Sequence, residues 1–129
     1  MKIVDSSLIA DFLRGRESAK AYRLDHRNER FVLTSIGAYE LFHGAVREGR
    51  DPRLLDDDLP WVEHLEYDRT HALEAATIRS ELESDGTRLQ HPDMMIAGVA
   101  RSLDVPVLTA DRGFERVENL DVENHRELY

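Results

Sequence analysis

The chain has 129 residues, 41% hydrophobic and 33% charged, which fits one globular, soluble domain spanning residues 1–129 with room for a sizeable core. Its net charge of -9 argues against a generic nucleic-acid coat protein, and the absence of cysteine excludes disulfides and thiolate metal sites. No apolar run approaches the roughly 20 residues that cross a bilayer.

Strand-like residues begin at Lys2 with no signal-peptide pattern before them, so a cytoplasmic location and no membrane partner are expected. Only Lys2 and Lys20 are lysine, against 15 arginines; an acidic, lysine-poor surface suits a salt-rich cytoplasm, and a GC-rich genome would also favour arginine.

"KIV" reads as a first strand that runs straight into Asp5, Ser6 and Ser7. Leu8, Ile9, Phe12 and Leu13 then give a helical apolar stripe ended by Gly15, with Asp11 placed on the solvated side. Ala19 to Asn28 is a polar second helix. "FVLTS" (31–35) is a second strand, followed by a helix from Gly37 to Glu48 with its stripe at Ala38, Leu41, Phe42 and Ala45. The acidic run Asp56–Asp58 is a solvated helix end or loop. "WVEHLEY" (61–67) alternates as a third, more exposed strand. A helix follows from Arg69 to Ser84, stopped by Gly86. "PDMMIAGVARSL" (92–103) is apolar on most faces and predicts a buried helix, with Pro92 in its first turn and Asp93 favoured by the helix dipole. "VPVLTA" (105–110) is a fourth strand and "DVENH" (121–125) a weak fifth at an edge. Strands alternating with helices predict an α/β fold, a mostly parallel sheet of about five strands flanked by helices on both faces.

In such a sheet, ligands bind beyond the carboxyl ends of the strands. Four acids belong at that edge: Asp5 after the first strand, Glu40 one turn into the helix after the second, Asp93 opening the buried helix, and Asp111 after the fourth strand. Each has an ordinary reading alone. Asp5 is a helix cap, Asp93 a cap or dipole partner, Asp111 a turn residue and Glu40 a solvated helix residue. Gly37 and Gly44 flank Glu40 on its helix face, at a cost of roughly 0.5–1 kcal/mol each relative to alanine, and predict an open approach to it. Converging carboxylates repel and resist desolvation, so the four together call for a cation. All-oxygen ligands suit Mg²⁺ or Mn²⁺, which lowers the pKa of bound water and clamps phosphate oxygens. Ser7 and Thr109 stand beside Asp5 and Asp111 as hydrogen-bonding support. His26, His43, His64, His71, His91 and His125 show no paired ligand spacing. Arg14, Arg16 and Arg112 are candidate phosphate contacts, each with a solvated surface charge as its simpler reading.

The segments "IVDSSLIADFL", "LTSIGAYELFHGA", "AATIRSELESDGTRLQHPDMMIAGVA" and "VLTADRGFERV" together resemble the PIN-domain ribonucleases, and among them the VapC-type toxins of prokaryotic toxin–antitoxin pairs. The resemblance implies that Asp5, Glu40, Asp93 and Asp111 form a metal-binding quartet with Ser7 and Thr109 in support. It also implies an endoribonuclease using Mg²⁺ or Mn²⁺, an RNA substrate, a homodimer, and a VapB-like antitoxin that lies along the toxin and sends a basic side chain into the acidic site. His43 and the early Gly37 depart from the family's usual pattern without touching the acids. Two other classes compete. A receiver-like signalling module would need Asp68 as its phosphoacceptor and a lysine near the last strands, where neither lysine lies. A catalytically silent PIN-fold binding domain would have little use for an intact quartet.

Overall fold

The computed structural model describes residues 1–129. Five parallel strands form one sheet: β1 (Lys2–Val4), β2 (Phe31–Thr34), β3 (Val62–Leu65), β4 (Val107–Thr109) and β5 (Val122–Asn124), in the order β3-β2-β1-β4-β5. Six helices accompany them: α1 (Ser6–Leu13), α2 (Glu17–Asp25), α3 (Ser35–Arg47), α4 (Arg69–Ser84), α5 (His91–Leu103) and the short α6 (His125–Leu128). Two 3₁₀ segments, Pro52–Asp58 and Arg112–Arg116, complete the chain, the first ending in the exposed Asp56–Asp58 run. All five expected strands are present. The sequence reading does not include α6.

The strands are apolar on both faces because helices cover both. Ile3, Val32 and Val107 point into one core with Ile78, Ile96, Val99 and Phe114. Their chain neighbours Val4, Leu33 and Leu108 point the other way, against Leu8, Ile9, Tyr22 and Leu41. β3 is the half-exposed edge, with Val62 buried and Glu63 and His64 outside. On the Ile78 side, α4 and α5 cross at Gly98, where an added Cβ would stand 2.8 Å from the Ala75 amide nitrogen and 2.9 Å from the His71 carbonyl oxygen.

Strand order reverses at β1, whose neighbours are β2 and β4. A crevice therefore opens at the carboxyl ends of β1 and β4, the switch point where open α/β sheets receive ligands. Two polar ties fasten the sheet to its flanking helices. Lys2 donates to the Tyr22 hydroxyl at 2.6 Å and to Glu123 at 2.7 Å, joining β1, α2 and β5.

The second tie overturns the reading of Asp11 as solvated. Asp11 is 3% exposed. Its Oδ2 meets His125 Nε2 at 2.8 Å, and Arg126 donates Nε and Nη2 to its two oxygens at 2.8 Å each. Burial opposes its ionisation, but the hydrogen bonds from Arg126 and His125 outweigh it and hold Asp11 at about 2. Sequence periodicity missed this because both partners lie more than a hundred residues away.

Asp11→Asn, silent if the side chain were solvated, is instead expected to cost about 2–3 kcal/mol by leaving Arg126 and His125 under-satisfied. Urea denaturation at pH 7 checks it, since the depressed carboxyl stabilises the fold above the ordinary carboxylate range and that contribution disappears only as pH falls toward 2. An unchanged midpoint would refute the clamp.

Candidate metal centre

Asp5 ends β1 and caps α1. Its Oδ1 accepts from the Ser6 amide at 2.8 Å, so the helix-cap reading holds. The other oxygen does something else: Oδ2 accepts from the Thr109 hydroxyl at 2.8 Å and from Ser7 Oγ at 3.3 Å. Those hydroxyls also accept. Thr109 Oγ1 takes the Asp111 amide at 2.9 Å and Ser7 Oγ takes the Ala110 amide at 3.0 Å. Two hydroxyls thus lock the end of β1 to the end of β4 and aim Asp5 into the crevice.

Glu40 arrives from α3, which Thr34 caps by accepting the Gly37 amide at 3.1 Å. Asp93 lies in the first turn of α5, behind Pro92; the cap position there is Gln90, whose side chain makes no capping bond. One oxygen from each of Asp5, Glu40 and Asp93 falls within 4.8 Å of the other two. Asp111 does not join this group. It stays exposed at the rim and caps the 3₁₀ segment, its Oδ1 accepting from the Gly113 amide at 2.8 Å. Three members of the expected quartet therefore converge, and the fourth reaches Asp93 from the rim.

The electrostatics follow. Burial, with Asp5 and Asp111 nearby, pushes the Glu40 carboxyl up to about 7. Burial, with Asp5, Glu40 and Asp111 nearby, pushes Asp93 up to about 7. Asp5 is also raised by burial, against the hydrogen bonds from Thr109, Ser6 and Ser7. Glu40 Oε1 is buried and has no hydrogen-bond partner. An acceptor left open among like charges, in an all-oxygen donor set, fits a hard divalent cation.

The two glycines beside Glu40 differ. A Cβ at Gly44 would meet nothing within 4 Å, so that side of α3 is open as expected. Gly37 is buried, and its Cβ would stand 2.8 Å from Leu33 Cδ1, so it serves packing of α3 on β2 and not access. Asp68 is the exposed cap of α4, accepting from His71, and stands outside the acid group, which removes the phosphoacceptor of a receiver module. Arg14 is paired with Glu48 at 2.9 Å and Arg16 stands 3.9 Å from Asp11. Arg112 does flank the acids, and so do Arg88 and Arg116, which the sequence reading left out. The signal for Arg88 was its place in the loop leading into Asp93, in "TRLQHPD".

A PIN-domain profile matches residues 2–120. The tRNA(fMet)-specific endonuclease VapC of Salmonella typhimurium is 32% identical over 106 residues, covering 79% of this chain and 80% of that protein. The DNA-bound VapBC structure from Salmonella typhimurium is similar at a TM-score of 0.81 and 28% identity, covering 97% of this chain and 99% of that one. VapBC2 from Rickettsia felis, bound to a promoter DNA fragment, shares the fold at a TM-score of 0.85 and 22% identity, covering 95% and 97%.

In EDTA the protein is expected to lose stability as pH rises from about 4 to 8. Glu40 and Asp93 hold protons in the folded state that the unfolded chain has already released, so their contribution is full below the ordinary carboxylate range and gone above about 7. Asp93→Asn should flatten this slope and melt a few degrees above wild type at pH 8, roughly 2–5 °C. Melting curves across pH check it; superimposable profiles for the two proteins would count against the charge cluster.

Proposed function

The chain belongs to the PIN-domain family, and on that premise we propose that it is a metal-dependent endoribonuclease, the toxin of a VapBC-type toxin–antitoxin pair. The convergence of Asp5, Glu40 and Asp93 around an unpartnered Glu40 oxygen, at the switch point of the sheet, carries the reading. These three would hold Mg²⁺ or Mn²⁺, with Asp111 completing the set from the rim. The cation, when bound, would acidify water and stabilise charge on the phosphate under attack. The chain's own part is positional. Thr109 and Ser7 hold Asp5 in one orientation, and α3 and α5 bring Glu40 and Asp93 to it.

Its substrate is RNA, as the name of the Salmonella relative supports. A VapB-like antitoxin is the matching partner, since the similar solved structures are toxin–antitoxin assemblies. A cluster of carboxylates is a ready acceptor for an inserted arginine or lysine, which would silence the site by replacing the metal's charge. Cytoplasmic action follows from that substrate; no helix of the chain is long and apolar enough to cross a membrane. Tyr39 and Val46 leave apolar surface open on α3, beside Phe42 and Leu65, which supports self-association.

Four expectations test this. Asp93→Asn and Glu40→Gln should each lower Mn²⁺-dependent cleavage of single-stranded RNA by more than about 100-fold. Asp57→Asn, an exposed acid of the 3₁₀ segment, should cleave as wild type. Millimolar Mn²⁺ should raise the Tm of wild type and not of Asp5→Asn, whose amide still caps α1. Full activity in the two acid variants would assign the cleavage to a contaminant or to another site and refute the nuclease reading built on these acids, whereas a wild type that cleaves nothing would leave a silent PIN-fold binding domain. Light scattering at micromolar concentration should give a dimer, and a monomer would refute the self-association.

A further inference from the structure

We propose that the cleft leading out from Asp93 and Asp111 is the path of the RNA strand, and that Arg88, Arg112 and Arg116 bind the backbone phosphates flanking the one that is cut. The assignment rests on the ribonuclease reading and adds the residues that would hold the substrate.

The cleft has a volume of about 650 Å³, with Asp93 and Asp111 in its lining. Its walls are two segments, the loop before α5, which carries Arg88, and the 3₁₀ segment, which carries Arg112 and Arg116. The walls are fastened to each other. Arg116 Nη1 donates to the Arg88 carbonyl at 2.9 Å. Leu89 packs on Gly113, where a Cβ would come within 3.0 Å of Leu89 Cδ1 and 3.1 Å of Asp111 Oδ1. The same glycine donates its amide to Asp111, so the fastening of the walls and the placement of an acid are one arrangement.

A polyanion must approach a protein of net charge -9 somewhere that the charge is offset. In this cleft three guanidiniums stand beside Asp93, Asp111 and Glu115, so its lining carries equal numbers of positive and negative side chains. Arg88 and Arg116 are paired with no carboxylate, and Arg112 has only an exposed ion pair with Glu127, which a phosphate displaces at little cost. On the Glu40 side Arg14 and Arg50 share the one exposed carboxylate of Glu48. A guanidinium fork matches phosphate oxygens in two directions at once, which a lysine ammonium does not.

The test is the double variant Arg88→Gln/Arg112→Gln, which leaves Arg116 to hold the loop. Anisotropy with a short fluorescein-labelled single-stranded RNA, in EDTA so that nothing is cut, should show affinity reduced roughly tenfold. The slope of log affinity against log salt should shrink by about 1.4, or about 0.7 for each phosphate no longer neutralised by an arginine. In Mn²⁺, KM should rise while kcat stays within about twofold of wild type, and the Mn²⁺-induced rise in Tm should be unchanged. Arg30→Gln, which removes an exposed arginine paired with Glu63, should alter none of these. Wild-type affinity and slope in the double variant would overturn the cleft assignment alone, and so would an equal loss in Arg30→Gln. A wild-type protein that neither binds nor cleaves RNA would overturn the ribonuclease reading, and the cleft with it.

Discussion

Three carboxylates share a space in which they do not all ionise freely. That conflict organises the domain. Each acid comes from a different element, β1, α3 and α5, so the repulsion is borne by the packing of the whole sheet and not by any one loop. A hydrophobic core on each face of the sheet keeps those elements from moving apart. Like-charge groups held in place against their preference are positioned by the fold itself.

The hydroxyls of Thr109 and Ser7 show how the arrangement is enforced. Each donates to Asp5 and accepts an amide from the chain after β4. The amide of Asp111 is thereby bonded to the same hydroxyl that orients Asp5. A change at Thr109 would move two acids together, which is why a small polar residue beside an acid is more than decoration in this fold.

Much of this was legible in the sequence because the fold speaks in local patterns. β-branched and aromatic runs mark the strands, and the Arg69–Ser84 helix shows its stripe and its stop at Gly86. The acids were found from their places at strand ends and helix starts. What stayed hidden is long-range. Asp11 looked solvated because its partners come from the far end of the chain, and α6 is too short to show a period. Gly37 resembled an opening for the site because a sequence does not reveal that Leu33 fills the space beside it. The distinction between three converging acids and a fourth at the rim is a matter of ångströms that residue order does not encode.

The Asp11 clamp bears on how the protein comes into being. Asp5 receives its orienting hydroxyl from a residue 104 positions later, and Asp11 receives its hydrogen-bond partners from residues 114 and 115 positions later. During synthesis the first helix leaves the ribosome with a carboxylate that has nothing to bind. The crevice cannot be locked until Thr109 has emerged, nor α1 secured until His125 and Arg126 follow. The acid trio at the crevice therefore takes its final arrangement only as the last elements join the sheet.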